Sequence, residues 1–182
     1  NSRNNAGTIN IIFARRFVKF RGTQIFANAV EKILEKYPNI RVTIAGEGPE
    51  KKYFEEKFSS NSNVIITNYN PIDSIKIHSE HHIAIIPTIG SEGTSLSLLE
   101  AMASKCAVIA TNIGGMTNII LYNFNGLMIN PDEMSLYDAI ERLINDEELR
   151  RNLAENAYYT ASKSFNKELW VKRWTKVFRE MD

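Results

Sequence analysis

The sequence predicts an α/β domain on a parallel sheet of about six strands with helices on both faces. Two observations carry this expectation. Short β-branched apolar runs alternate with amphipathic helical patterns along most of the 182 residues. The runs are continuously apolar, as strands covered on both faces are, rather than alternating like half-exposed strands. At this length one well-buried domain is expected, doubly wound and Rossmann-like.

The strand-like runs are Ile9 to Ala14, Arg41 to Ala45, Val64 to Thr67, Ile83 to Pro87, Ala107 to Thr111 and Gly126 to Ile129. Thr23 to Tyr37 places Ile25, Phe26, Ala29, Ile33 and Leu34 on one helical stripe. Pro49 to Phe58 begins with proline in its first turn, where the missing N–H costs nothing. Pro71 to Ser79, Ser95 to Ser104 and Met134 to Asn145 follow as helices, with a shorter one over Met116 to Leu121. The alternation then stops. Asp146 to Ser164 and Lys167 to Met181 read as two trailing helices with no strand between them. In the last, Trp170, Trp174 and Phe178 recur every four residues beside Val171 and Val177. Such a stripe is read first as core packing and second as a face for a further domain. Residues 1–7 are polar and linker-like and lack an initiator methionine, so the domain is expected over residues 8–182 as an excised part of a longer chain.

Composition narrows the function. A net charge of +1 makes no bulk electrostatic case for nucleic acid or a membrane surface. The 43% hydrophobic and 24% charged content is ordinary for a soluble globular protein, and no transmembrane stretch or signal peptide is visible. Cys106, the single cysteine, abuts Ala107-Val108-Ile109-Ala110 and reads as a small core residue. No disulfide framework is possible, which suits a reducing, cytoplasmic compartment.

In doubly wound sheets ligands bind outside the carboxyl ends of the strands. After the first strand lie Arg15, Arg16, Lys19 and Arg21, four cations in seven residues, suited to clamping a diphosphate. After the second lies Gly46-Glu47-Gly48-Pro49, whose glycines allow backbone to approach a planar ligand or serve the turn alone. A dinucleotide fingerprint needs a third glycine where Lys51 stands, so a nicotinamide or flavin reading is a distant one. After the fourth comes Glu92-Gly93-Thr94-Ser95-Leu96-Ser97-Leu98-Leu99-Glu100. The first N–H groups of the helix there, from about Ser95 to Ser97, form an anion site at the positive end of the macrodipole. Leu96 and Glu100 share a helix face, which sets a carboxylate within reach of a ribose attached to a bound phosphate. Ser97-Leu98-Leu99-Glu100 equally fits a capping box, in which Glu100 only completes a helix end. Both readings stand at this point. His78, His81 and His82 form H-x-x-H-H, but no convergent cysteine or carboxylate set accompanies them and no metal site is expected.

Together these residues resemble the C-terminal, donor-binding domain of the family-four (group 1) retaining glycosyltransferases of GT-B fold, from about Ile9 to Met181. The E-x7-E pattern of Glu92 and Glu100, followed by Ala101-Met102-Ala103, is the most specific element. Arg16 and Arg21 match the family's G-R-x4-K-G loop, Ala45 to Pro49 its v-G-x-G-p turn, Thr111 to Gly115 its T-x-x-G-G turn and Asn125-Gly126-Leu127 its n-G-l segment. The chain departs from the pattern with Arg21 for lysine, Arg15 for glycine, Thr94-Ser95 for Phe-Gly, Asn118 for a glutamate and His82 for a frequent aspartate.

The resemblance implies retaining, metal-independent glycosyl transfer from a UDP-, GDP- or other nucleotide-diphosphate sugar, with no cofactor. It implies Arg16, Arg21 and the N–H groups of Leu96 and Ser97 on the diphosphate, with Gly93, Thr94 and Ser95 in the same turn. Glu100 is implied on the ribose, Glu92 on the transferred sugar, and Gly46, Glu47, Gly48, Pro49, Tyr69 and Asn70 around the base. The partners implied are an N-terminal acceptor domain of the same chain and a sugar or lipid-linked glycan acceptor. Peripheral contact with the inner face of a membrane through that missing half is implied as well. A non-catalytic nucleotide-sugar-binding domain and a GT-B sugar-nucleotide epimerase are the alternatives.

Overall fold

In the computed structural model residues 7–181 are described, so most of the linker-like segment 1–7 lies outside the described residues. The six apolar runs form β1 (Ile9–Ala14), β2 (Ile40–Ala45), β3 (Val64–Thr67), β4 (Ile83–Ile86), β5 (Ala107–Thr111) and β6 (Leu127–Ile129). All five pairings are parallel, in the order β3-β2-β1-β4-β5-β6. The helices are α1 (Thr23–Lys36), α2 (Lys51–Phe58), α3 (Ser74–Ser79), α4 (Leu96–Ala103), α5 (Glu133–Asn145), α6 (Glu147–Ser164) and α7 (Lys167–Arg179). The expected doubly wound sheet with two trailing helices is therefore the observed fold.

Alternate residues of each strand face opposite layers, which is why β4 is apolar throughout and β5 is apolar up to Thr111, while β2 carries Arg41 and Thr43 on one face. Ile11 and Phe13 of β1 join Ile44, Ile85 and Ile109 in one core, filled by Phe26, Val30 and Ile33 of α1 and Leu136 and Ile140 of α5. Ile12 and Ala14 join Ile86, Val108 and Ala110 in the other, filled by Leu98, Ala101 and Met102 of α4 and Ala157 and Ala161 of α6. The first core holds an aromatic cluster with Phe13 4.6 Å from Phe26 and Phe17 5.0 Å from Phe54, in the tilted and edge-on arrangements that ring quadrupoles favour. Cys106 is buried, as expected, with its Sγ 3.2 Å from the His78 carbonyl.

Several boundaries are corrected. Pro49 lies outside α2, whose N-cap is Glu50. Pro71 opens a separate 3-10 turn (Pro71–Asp73), because Asn70 accepts from the Ile72 N–H and caps that turn instead of a continuous helix. The helix expected over Met116 to Leu121 is a 3-10 segment, Gly114–Asn118, shifted toward the paired glycines. The largest correction is α7. None of its residues is buried: Trp170 is 61% exposed, Trp174 44% and Phe178 61%. The stripe stacks on itself, with ring centroids 6.0 and 5.7 Å apart, rather than packing into either core.

Helices α1 and α5 are tied at the surface by Glu141. Its carboxylate accepts from Lys36 Nζ at 2.7 Å, Tyr37 Oη at 2.9 Å and Tyr137 Oη at 2.8 Å. These donors hold its pKa down to about 2. A carboxylate depressed in the folded state stabilises fully above its unfolded value, near 4.3, and loses that contribution as pH falls through its folded value. Glu141→Gln is expected to lower the melting temperature at pH 6 by circular dichroism. The gap from the parent should close as pH falls from about 5 toward 2, and should narrow in high salt because the site is exposed.

Candidate functional site

The carboxyl ends of the strands carry the loops of interest, and β1 and β4 flank the point where the strand order reverses. These two pair only through Ile11↔Ile83 and Ile12↔Ala84. The loops that follow the strands are tied to one another by backbone contacts. Gly46 adopts φ +147°, and a Cβ there would lie 2.0 Å from the Arg15 carbonyl oxygen; beside it the Phe17 N–H donates to the Glu47 carbonyl at 2.7 Å. These glycines let β1's loop close against β2's. Gly114 has φ +55°, and a Cβ there would fall 2.0 Å from the Glu92 carbonyl oxygen, which also accepts from the Gly115 N–H at 2.9 Å. The Gly114-Gly115 turn after β5 therefore grips the Glu92-Gly93 turn after β4.

Glu92 is the centre of the site. Its Oε2 accepts from Arg15 Nη2 at 2.7 Å, from Thr88 Oγ1 at 3.0 Å and from Arg21 Nη1. Arg15 Nη1 also donates to Thr88 Oγ1 at 2.6 Å, so its planar fork spans both partners. The side chains are 4% exposed at Arg15, 9% at Glu92 and 27% at Arg21. Burial, with help from the Arg21 charge, pulls the Arg15 pKa down to about 9, which leaves it a cation at neutral pH.

Helix α4 begins one residue later than expected. Ser95 is its N-cap and its hydroxyl accepts from the Leu98 N–H at 3.4 Å. Leu96 and Ser97 occupy the first two helical positions, whose N–H groups have no intrahelical acceptor. This overturns the capping box: with Ser95 as cap the third helical residue is Leu98, and Glu100 is the fifth. Glu100 is half-buried, and burial raises its pKa against the opposing hydrogen bond from Ser74. Tyr69 faces it closely enough for the Glu100 charge to push the phenol pKa up, with burial as the larger cause.

Glu92, Arg21 and Ser95, in loops, and Leu96, Ser97 and Glu100, on the first turns of α4, thus lie at one edge, with Tyr69 beside Glu100 and Gly93 open on its Cβ side. Arg16 and Thr94 are exposed. Glu47 accepts from Asn68 at 2.7 Å and Asn70 caps its own turn. The buried cation is Arg15, one of the four cations noted after the first strand, whereas the resemblance put Arg16 and Arg21 on the diphosphate. Thr88 was not singled out at all. The available signal was a pair of adjacent arginines closing an apolar strand, since one of two successive residues there must turn inward. The histidines do not converge: His78 Nδ1 lies 2.7 Å from the Ser74 carbonyl, His81 Nε2 2.7 Å from Thr43 Oγ1, and His82 Nδ1 accepts from the Asn10 N–H. Among the described residues no group of three or more His, Cys, Asp or Glu is placed to hold a metal ion. No helix among them is long and apolar enough to cross a membrane.

The sequence profile of the group 1 glycosyl transferases matches residues 1–160. An uncharacterized glycosyltransferase of Methanocaldococcus jannaschii is 30% identical over 183 aligned positions, covering 97% of this chain and 50% of that protein. The chain spans half or less of the length of the first curated relatives it matches. The crystal structure of the C-terminal domain of LpcC, a group 1 family protein of Francisella tularensis, superposes with TM-score 0.76 at 32% identity, covering 88% of this chain and 87% of that one. Anabaena HepE, crystallised with UDP-glucose, shares the fold with TM-score 0.84 at 17% identity, over 96% of this chain and 50% of that one. With the strand order and the Glu92 cluster in place, the chain belongs to the group 1 glycosyl transferases and has the fold of their C-terminal domain.

Proposed function

We propose that this chain is the donor-binding part of a longer glycosyltransferase and takes a nucleotide-diphosphate sugar at the β1/β4 crevice. The observation that carries the reading is the convergence of Arg21 and the free N–H groups at the start of α4 on the same edge as Glu92 and Glu100. The UDP-glucose held by the Anabaena relative supports it. So does the half of the relatives' length that this chain does not span. The exposed stripe of α7 fits an acceptor domain packed against it. In that reading the acceptor is a sugar or lipid-linked glycan, and the enzyme works in the cytoplasm, with membrane contact made by the other half.

The chemistry follows from charge. As the bond from the sugar's anomeric carbon to the diphosphate oxygen breaks, the ring approaches an oxocarbenium ion and negative charge gathers on the departing phosphate. Arg16, Arg21 and the N–H groups of Leu96 and Ser97 meet that charge. An acceptor hydroxyl then attacks from the face the diphosphate leaves and gives its proton to the departing phosphate oxygen, which retains configuration without a protein nucleophile. Glu100 holds the ribose hydroxyls throughout, and Glu92 orients the sugar. A second reading, a non-catalytic nucleotide-sugar binder, is favoured by one observation: Glu92 is nearly buried beneath two arginines. Turnover of labelled sugar nucleotide by the full-length protein separates the two.

Titration calorimetry with UDP and GDP tests the site. Arg16→Ala and Arg21→Ala should each weaken diphosphate binding by about 1.5–3 kcal/mol and flatten its salt dependence. Unchanged affinity with unchanged salt slope would leave the loop a solvated turn.

The two glutamates should separate by kinetics. Glu100→Gln should weaken nucleotide binding, because the ribose contact is made in ground and transition states alike. Glu92→Gln in the full-length enzyme should lower turnover while leaving affinity for the bare nucleoside diphosphate nearly unchanged. The opposite pattern would exchange their roles.

A further inference from the structure

Three donors meet at one oxygen of Glu92, and they are not equivalent. Arg15 is 4% exposed, is held at a second nitrogen by Thr88, and leaves a backbone fixed between Ala45 and Gly46. Arg21 is 27% exposed, and its other described contact is the Phe20 ring 5.2 Å away, itself on the surface. One of the two guanidinium groups is therefore built in, and the other is free to turn outward. The carboxylate they share is 9% exposed. A carboxylate so placed is costly to leave without a counter-charge.

We propose that Arg15 is a positioning residue: it keeps the Glu92 carboxylate paired while Arg21 is exchanged from Glu92 to the donor's diphosphate. This rests on the donor-site reading above. In the ligand-free protein Arg21 waits on Glu92. When a diphosphate arrives, Arg21 turns to it, and Glu92 retains the Arg15 fork and the Thr88 hydroxyl. No proton moves and no bond forms or breaks; one ion pair replaces another. Without Arg15 the exchange would strand a nearly buried carboxylate, and that penalty would be charged against ligand binding. Arg15 thus sets affinity for a ligand to which it has almost no surface to offer.

The test is a cycle of variants of the 182-residue chain, titrated calorimetrically with UDP, GDP and ADP at a temperature where circular dichroism shows each variant folded. Arg15→Met is expected to weaken binding of the preferred nucleotide about tenfold or more. Glu92→Gln alone should stay within about threefold of the parent, since Arg15 already carries the carboxylate. Arg15→Met with Glu92→Gln should return to within about threefold, because no carboxylate then competes for Arg21. A role confined to stability would move the melting temperature but would not produce that rescue. Should Arg15→Met fail to fold, Arg15→Gln, which keeps a donor without the charge, is expected to give the same pattern. Parent-like affinity in the uncharged Arg15 variant, or loss of affinity that Glu92→Gln does not restore, overturns the exchange. A parent chain that binds none of the three nucleotides overturns the donor-site reading itself, and the exchange with it.

Discussion

The grip of Arg15, Thr88 and Arg21 on the Glu92 carboxylate is the interaction on which the working edge depends. It joins the loop after β1 to the loop after β4 across the place where the strand order reverses. The Glu92 backbone is held in turn by Gly115 from the loop after β5, and the Arg15 backbone by Ala45 at the end of β2. Four loops are so bound into one rim. A buried ion pair of this kind gives little net stability, because desolvation offsets most of the attraction. What it provides here is geometry. It fixes where a carboxylate stands and keeps cations near it without letting them collapse elsewhere.

The sheet beneath is arranged to make such a rim possible. Strands β4 and β5 are apolar on both faces, so their polar groups concentrate where the strands end. The two cores are filled from opposite sides by α1 with α5 and by α4 with α6. Helix α4 leaves the second core at Leu98 and reaches the rim at Leu96 and Ser97. A single short helix thus anchors in packed side chains at one end and presents unpaired N–H groups at the other.

Most of the fold was legible because it follows from period and burial. The bounds of β1, β3 and β5 coincide with their apolar runs, and α1 and α5 end within a residue of their stripes. Much of the site was legible too: Glu92, Arg21, Glu100 and the start of α4 fall on one edge. What sequence could not resolve were choices between neighbours. Arg15 and Arg16 are adjacent and alike, and which one turns inward is decided by how Gly46 lets the next loop close on Arg15. Ser95 and Ser97 are both good caps, and a shift of two residues decides whether Glu100 completes a helix end or faces Tyr69 and Ser74. The stripe of α7 has the spacing of a core helix, and periodicity alone does not say whether the covering surface lies in the same domain.

That stripe also determines what light reports about this protein. Both tryptophans, Trp170 and Trp174, lie on α7, in contact with one another and largely open to water. Intrinsic emission is therefore a reporter of α7. With that exposure its maximum is expected toward the red in the folded chain, with little further to move on unfolding. An apolar surface closing over α7 would shift it to the blue and shield it from aqueous quenchers.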